Sequence, residues 1–290
     1  MAAETAVEGI PDMKNFCIIS NSIKDSELEK AHIIRNVIEQ RRMDTTVTVM
    51  DLCCENLKIP KATEGIIVLG GDGTLLSVAK KTMYCELPLI GVNLGALGYL
   101  AEVEMSSIES AVDKLLLDQF KIEERMMLAG NVCISGEETK QSCALNDVVL
   151  CRRGDLQVIG YRVTVNGLYL NNFYADGMII STPTGSTGYN LSAGGSIVEP
   201  LARLIVLTPV CPHTLNTRSI MLSPEDRIEI EVLPPKGMKP VEVGAYFDGT
   251  STGIMGPGDR VNVFGAKEVT RIIKLSNDGF LEILHKKMSE

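Results

Sequence analysis

The sequence predicts an α/β half followed by an all-β half. Three observations carry this. Over the first 120 residues, short apolar runs alternate with helical stripes, the pattern of a parallel sheet with helices on both faces. From Lys121 onward the runs are strand-like and helical spacing nearly disappears. The chain has 290 residues, enough for two domains, and 45% of them are apolar, enough to fill two cores.

Residues 1–14 read as a loose leader, and residues 16–20 (Phe-Cys-Ile-Ile-Ser) as a buried strand. A helix is expected over 25–43, because Leu28, Ala31, Ile34 and Ile38 form an apolar stripe at 3–4 spacing. Residues 45–50 are β-branched and give a second strand. Residues 66–69 (Ile-Ile-Val-Leu) give a third, followed by a helix-like stretch at 75–83. A fourth strand over 87–92 runs into Asn93-Leu94-Gly95-Ala96-Leu97-Gly98-Tyr99-Leu100. A helix over 106–120 carries Ile108, Val112, Leu115 and Leu116 on its apolar face, with Ser106 and Glu109 as a capping box. Strands then follow at 122–134, 144–151, 158–165, 168–173, 204–208, 227–233, 241–247 and 260–264. Asn166-Gly167 marks a hairpin. Asp248-Gly249 reads as a turn between the last two strands. Phe280, Leu281 and Leu284 make a final helix over 278–287. The expected organisation is a Rossmann-like α/β domain at 1–120 and a β-rich, β-sandwich-like domain at 121–266. A C-terminal segment, 267–290, packs back on the first domain.

Composition narrows the function. The formal charge of −9 argues against a nucleic-acid or anionic-membrane binder. Trp is absent and aromatics are few, so the cores are aliphatic and Met-rich. Most of the eight cysteines (17, 53, 54, 85, 133, 143, 151 and 211) sit in apolar runs, and none form C-x-x-C. With no signal-peptide pattern and no apolar run near the roughly 18 residues of a membrane span, reduced thiols and a cytoplasmic location are expected. His32, His213 and His285 have no metal-ligand spacing.

Two loops carry chemistry. Gly70-Gly71-Asp72-Gly73-Thr74 joins a strand to a helix. Glycines there let the backbone approach a ligand, and the helix N-terminus suits phosphate. A carboxylate in that place repels phosphate unless it holds a metal or takes a proton. The loop therefore reads either as a site of phosphate chemistry, with Asp72 acting, or as an ordinary helix cap. No Gly-Lys pair occurs, so there is no Walker A loop, and the spacing is not G-x-G-x-x-G. The second loop is Asp176-Gly-Met-Ile-Ile-Ser-Thr-Pro-Thr-Gly-Ser-Thr-Gly-Tyr-Asn-Leu-Ser-Ala-Gly-Gly195. Its hydroxyls suit ribose, phosphate or an adenine edge, and Asp176 suits a ribose diol or an adenine amine. The competing reading is a solvated loop with a helix cap at Ser186.

The two stretches in this order resemble the NAD kinase family. Asn93 to Leu100, Asn146-Asp147, and Pro212-His213-Thr214-Leu215 with Arg218 also fit, so the resemblance runs from about Ile66 to Val263. It implies transfer of the γ-phosphate of ATP, or phosphate from polyphosphate, to the adenosine-ribose 2′-hydroxyl of NAD. The first domain would then handle the phosphoryl donor and the second would bind NAD. It also implies a divalent metal (Mg2+ or Mn2+) and a homodimer or homotetramer, with no nucleic-acid or membrane partner. By resemblance Asp72 is the general base. Gly71, Gly73, Thr74 and Asn93 border the ligand. Asn146 and Asp147 bind the adenosine end, and Asp176, Ser186, Thr187, Gly188, Tyr189, Asn190, Ser192 and His213 cradle the dinucleotide. No metal-ligating side chain is assigned. The chain departs from the family pattern at Ser219, Thr250 and Asp147, where Pro, Gln and Glu are frequent. Two alternatives stand beside this: a non-catalytic NAD sensor, and a lipid or sugar kinase sharing the first loop.

Overall fold

Strands that are apolar without alternation are buried on both faces, as a covered parallel sheet requires. β1 (Asn15–Ser20), β2 (Thr46–Asp51), β3 (Gly65–Leu69) and β4 (Leu89–Asn93) form such a sheet, in the order β2-β1-β3-β4. β3 and β4 are buried along their whole length. The structure is a computed structural model describing residues 13–54, 57–95, 98–213, 218–235, 241–276 and 278–289. It divides into two units, Met1–Arg125 with Val269–Glu290, and Met126–Glu268.

In the first unit, α1 (Glu29–Arg41), α2 (Asp72–Thr82), the short β5 (Val103–Glu104) and α3 (Ile108–Leu116) complete the pattern. Ala31, Ile34 and Ile38 of α1 and Ile108, Val112 and Leu115 of α3 share one core with Ile18, Ile67 and Ile90 of the sheet. β3 and β4 pair in parallel with Leu69 opposite Val92, so both end at one edge. The Gly70 N–H donates to Val92 O at 2.9 Å. In such sheets ligands bind beyond this edge.

The second unit begins within β6 (Lys121–Ile134) and continues through β7 (Glu137–Glu138), β8 (Ser142–Ala144), β9 (Asp147–Arg153), β10 (Ile159–Val165), β11 (Leu168–Ala175) and β12 (Gly177–Ser181). A short helix, α4 (Tyr189–Ser192), precedes β13 (Ile205–Val210), β14 (Ile220–Leu222), β15 (Ile228–Val232), β16 (Glu242–Phe247) and β17 (Thr250–Met255). One antiparallel sheet has the order β14-β13-β12-β9-β16-β17. The other layer has β11-β10-β15 and β18 (Arg260–Lys274), with β6 beside β18. Leu150, Ile180 and Phe247 from the first layer pack with Tyr161, Ile230 and Val261 from the second, which makes a sandwich. β18 pairs with β15 through 260–263 and, further along, with Leu89 of β4 through Ile272. The chain ends on α5 (Phe280–Met288).

Several expected boundaries differ. Residues 1–12 lie outside the described set, but Met13 is fully buried and part of the core. α1 begins at Glu29 rather than 25, because Glu27 and Leu28 take positive φ (52° and 57°). The Asp25 carboxylate instead accepts the amides of Lys30 and Ala31. The capping box does not form. A 3-10 turn, Met105–Ser107, precedes α3, Ser106 bonds Glu104, and Glu109 pairs with Arg41. The strand expected over 144–151 is split between β8 and β9. Asp248-Gly249 (φ 48° and 72°) leads into β17, a strand whose small and hydroxyl residues gave no apolar signal. β18 extends well past residue 264.

Candidate active site

Asp72 is the first residue of α2, and that helix end has no side-chain cap. Its amides therefore keep a partial positive charge directed out of the loop. Gly70 has φ 147°, and a Cβ there would strike the Thr74 side chain, so only glycine closes this turn. Gly71 and Gly73 face open space; nothing lies within 4 Å of a Cβ added to either. The fold does not demand these two glycines, and their bareness leaves room for a ligand against the backbone. Thr74 is buried, and its amide bonds Gly71 O at 2.9 Å. Asn93 spends its amide on its own loop, bonding Gly95 O at 2.9 Å and Gly95 N at 3.0 Å.

The Asp72 carboxylate is held by a strip of backbone. Oδ2 accepts the Tyr99 amide at 2.8 Å, and Oδ1 accepts those of Leu100 at 3.1 Å and Ala101 at 3.3 Å. A Cβ on Gly98 would collide with the same carboxylate, which explains the glycine in Gly98-Tyr99-Leu100. A carboxylate offers about four lone-pair sites. Three are taken among the described residues, and Oδ2 keeps one.

In the second unit the Asp248 carboxylate accepts the amides of Leu145 (2.7 Å), Asn146 (2.9 Å) and Asp147 (3.1 Å). That bend separates β8 from β9 and fixes the Asn146-Asp147 pair. Asp248 takes all three amides, so the Asp147 carboxylate accepts none of them; Asp147 is 7% exposed, and its backbone carbonyl accepts the Asp248 amide at 3.0 Å. Burial, and then the neighbouring Asp248 charge, push the Asp147 carboxyl up to about 7. The Asn146 Oδ1 is buried without a partner among the described residues.

The hydroxyl-rich loop packs onto Asn146. Its carbonyl accepts the Thr182 amide at 2.8 Å, and a Cβ on Gly185 would collide with that oxygen. The buried polar groups bond one another. Ser186 Oγ donates to Pro183 O at 2.6 Å and accepts the Val198 amide at 3.0 Å. Asn190 Nδ2 donates to Ser186 O and Ser196 O, and its Oδ1 accepts the Thr208 hydroxyl at 2.7 Å. Ser186 and Asn190 thus set the loop's shape from inside. Thr187 and Gly188 are half-buried, and Tyr189 and Ser192 are exposed.

The Tyr189 hydroxyl is pushed up by partial burial and then by the charges of Cys151, Cys211, Asp176 and Asp147. Asp176 pairs with Arg152 Nε at 3.3 Å. His213 is exposed and donates its amide to Tyr174 O at 2.8 Å, while Thr214 and Leu215 lie outside the described residues. Sequence reasoning did not single out Asp248, the amides of Tyr99 to Ala101, or the Arg152–Asp176 pair. By sequence Arg152 reads slightly better as a solvated strand end than as a phosphate contact, and backbone amides leave no mark in a sequence. Among the described residues, no three His, Cys, Asp or Glu side chains form a metal cage.

A carboxylate at an uncapped helix N-terminus on a parallel-sheet edge, with bare glycines beside it, defines a phosphotransferase. Residues 16–120 match the ATP-NAD kinase N-terminal domain, and residues 145–275 match the ATP-NAD kinase C-terminal domain. The chain is similar to the NAD kinase of Agathobacter rectalis, 44% identical over 282 residues, covering 95% of this chain and 99% of that one. The NAD kinase of Lachnoclostridium phytofermentans is 40% identical over 285 residues, covering 96% and 100%. In fold, the chain resembles yeast NADH kinase complexed with NADH (TM-score 0.84, 23% identity, covering 97% of this chain and 88% of that one). It also resembles an NAD kinase from Archaeoglobus fulgidus in complex with ATP (TM-score 0.75, 22% identity, covering 95% and 99%). The chain belongs to the ATP-NAD kinase family. It is an enzyme, and phosphoryl transfer to NAD is the reaction its residues serve.

Proposed function

We propose that Asp72 is the general base that takes the proton from the adenosine-ribose 2′-hydroxyl of NAD as the γ-phosphate of ATP, or a phosphoryl group of polyphosphate, is transferred to it. The observation that carries this reading is the Asp72 carboxylate itself: three amides hold it still, and among the described residues one lone pair of Oδ2 stays open. A ribose hydroxyl is a poor nucleophile at pH 7, and a positioned base contributes about 10²–10⁴-fold. Much of the remaining acceleration comes from holding hydroxyl and donor in line. The free amides at the start of α2, beside Gly71 and Gly73, bind donor phosphates, with Thr74 bracing the turn and Asn93 shaping the neighbouring loop.

Asn146 and Asp147 take the adenosine end of NAD. Asp176, Thr187, Gly188, Tyr189, Ser192 and His213 contact the dinucleotide, and Ser186 and Asn190 hold that loop in shape. Mg2+ binds through one or two carboxylates, waters and substrate phosphates rather than a protein cage. The donor set here, with one carboxylate beside a phosphate-type helix end, would suit a metal carried mainly by the donor's phosphates, with Asp72 as the carboxylate that could help hold it. Such an ion neutralises phosphate charge. Self-association as a homodimer or homotetramer belongs to this reading, supported by the exposed Leu168, Tyr169 and Leu170 on the edge strand β11. So does a cytoplasmic location; no described helix is long and apolar enough to cross a membrane.

The test is Asp72→Asn, assayed with NAD, Mg2+ and ATP alongside direct measurement of NAD binding. Binding is expected to persist while NADP formation falls by about 10²–10⁴-fold. Turnover near that of the parent protein would remove Asp72 from the chemistry.

A further inference from the structure

The strip that holds Asp72 is itself held. Glu102 follows directly on Tyr99-Leu100-Ala101. Its Oε1 accepts the amides of Leu275 at 3.1 Å and Ser276 at 2.5 Å, and its Oε2 lies 3.2 Å from Lys274 Nζ. The Lys274 and Glu102 side chains are only 10% and 14% exposed. A nearly dry ion pair that also takes two backbone amides is costly to disturb and fixes its neighbours closely. Lys114 adds a second tie, donating to Leu275 O at 3.3 Å.

The flank beside this tie is open. A cavity of about 470 Å³ is lined by Tyr99, Ala101, Glu102, Lys114, Lys274 and Ser276 among others. Leu100 and Ala101 are buried, and the cavity leaves the strip open on one flank. Without Glu102 it has room to shift, and the three amides on Asp72 shift with it.

We infer that Glu102, supported by Lys274, is a positioning residue for the reaction: it pins residues 99–101 to the end of β18 and thereby fixes the Asp72 carboxylate. The inference rests on the reading of Asp72 as the acting carboxylate. The bonds of Glu102 go to residues 274–276 and not to the Gly70–Thr74 loop, so its expected effect is on turnover rather than on NAD affinity.

Glu102→Ala alone leaves a buried ammonium unpaired and risks misfolding. The working variant is therefore Glu102→Ala with Lys274→Met. Glu102→Gln with Lys274→Met keeps the Oε1 acceptor without either charge. The first is expected to lose about tenfold or more in kcat, the scale of a small misplacement of a reacting group, with KM for NAD within about twofold. Amide exchange at residues 99–101 should accelerate in parallel. The Gln variant is expected to recover most of both. Ile34→Val, on α1, serves as a variant that lowers stability away from the strip. Unchanged kcat in the Ala variant, an equal kcat loss in Ile34→Val at matched Tm, or faster exchange with unchanged kcat would each overturn the inference. Asp72→Asn decides separately whether Asp72 acts at all.

Discussion

Replacing Asp147 with Asn tests the electrostatics of the Asn146-Asp147 pair directly. Asp147 is 7% exposed, its carboxylate accepts none of the three local amides, and the neighbouring Asp248 carboxylate takes them all. Its carboxyl rises from 3.8 to about 7 on folding. Between those values the folded protein keeps a proton that the unfolded chain releases. Stability from this group is therefore full below pH ~4 and is lost as pH rises to about 7. At 1.36 kcal/mol per unit, the whole shift is worth on the order of 4 kcal/mol. Asn has the shape of the neutral acid and no proton to lose. The variant should match the parent near pH 4, gain on it steadily, and exceed it by a few kcal/mol at pH 8. Guanidinium unfolding of both proteins at pH 4.5, 6 and 8 reads the difference, in which most other titrating groups cancel. A gap that does not change with pH, or one that widens on acidification, would refute the argument that Asp147 is buried without a charge partner.

Two further outcomes follow from contacts around the carboxylates. Gly98→Ala drives a Cβ into the Asp72 carboxylate. Steady-state assay should show kcat reduced by about 10²-fold with the fold retained by circular dichroism, and an unaffected kcat would mean that the 98–101 strip does not set Asp72. Arg152→Met removes the partner of Asp176. Both side chains are partly exposed, so thermal unfolding should change by less than about 1 kcal/mol. KM for NAD should rise severalfold with kcat retained, and an unaltered KM would detach Asp176 from substrate binding.

The sequence by itself determined the fold class and the two loops. Buried parallel strands must be continuously apolar, so the runs at 66–69 and 87–92 could be nothing else in an alternating pattern. Asn166-Gly167 needs positive φ at both positions, and it sits at 52° and 78° in the hairpin between β10 and β11. The glycines around Asp72, and the Ser/Thr-rich stretch after Asp176, were visible because few other roles use those residues in that order.

Tertiary structure decided which polar group bonds which. Ser186 and Asn190 look like ligand contacts in the sequence, but their bonds go inward to Pro183, Val198, Ser196 and Thr208. Ser106 and Glu109 have the spacing of a capping box, yet Arg41, 68 residues away, takes the glutamate. Asp248 is an ordinary turn residue by sequence, and only the approach of residues 145–147 makes it the anchor of the Asn146-Asp147 pair. The physical reason is common to all of these. Apolar burial depends on spacing along one element and is written locally. A hydrogen bond depends on which distant donor arrives within about 3 Å, and that is fixed only when the strands have been laid side by side. The Asp72 carboxylate shows both sides: its place in the loop between strand and helix was legible, and the three amides that hold it were not.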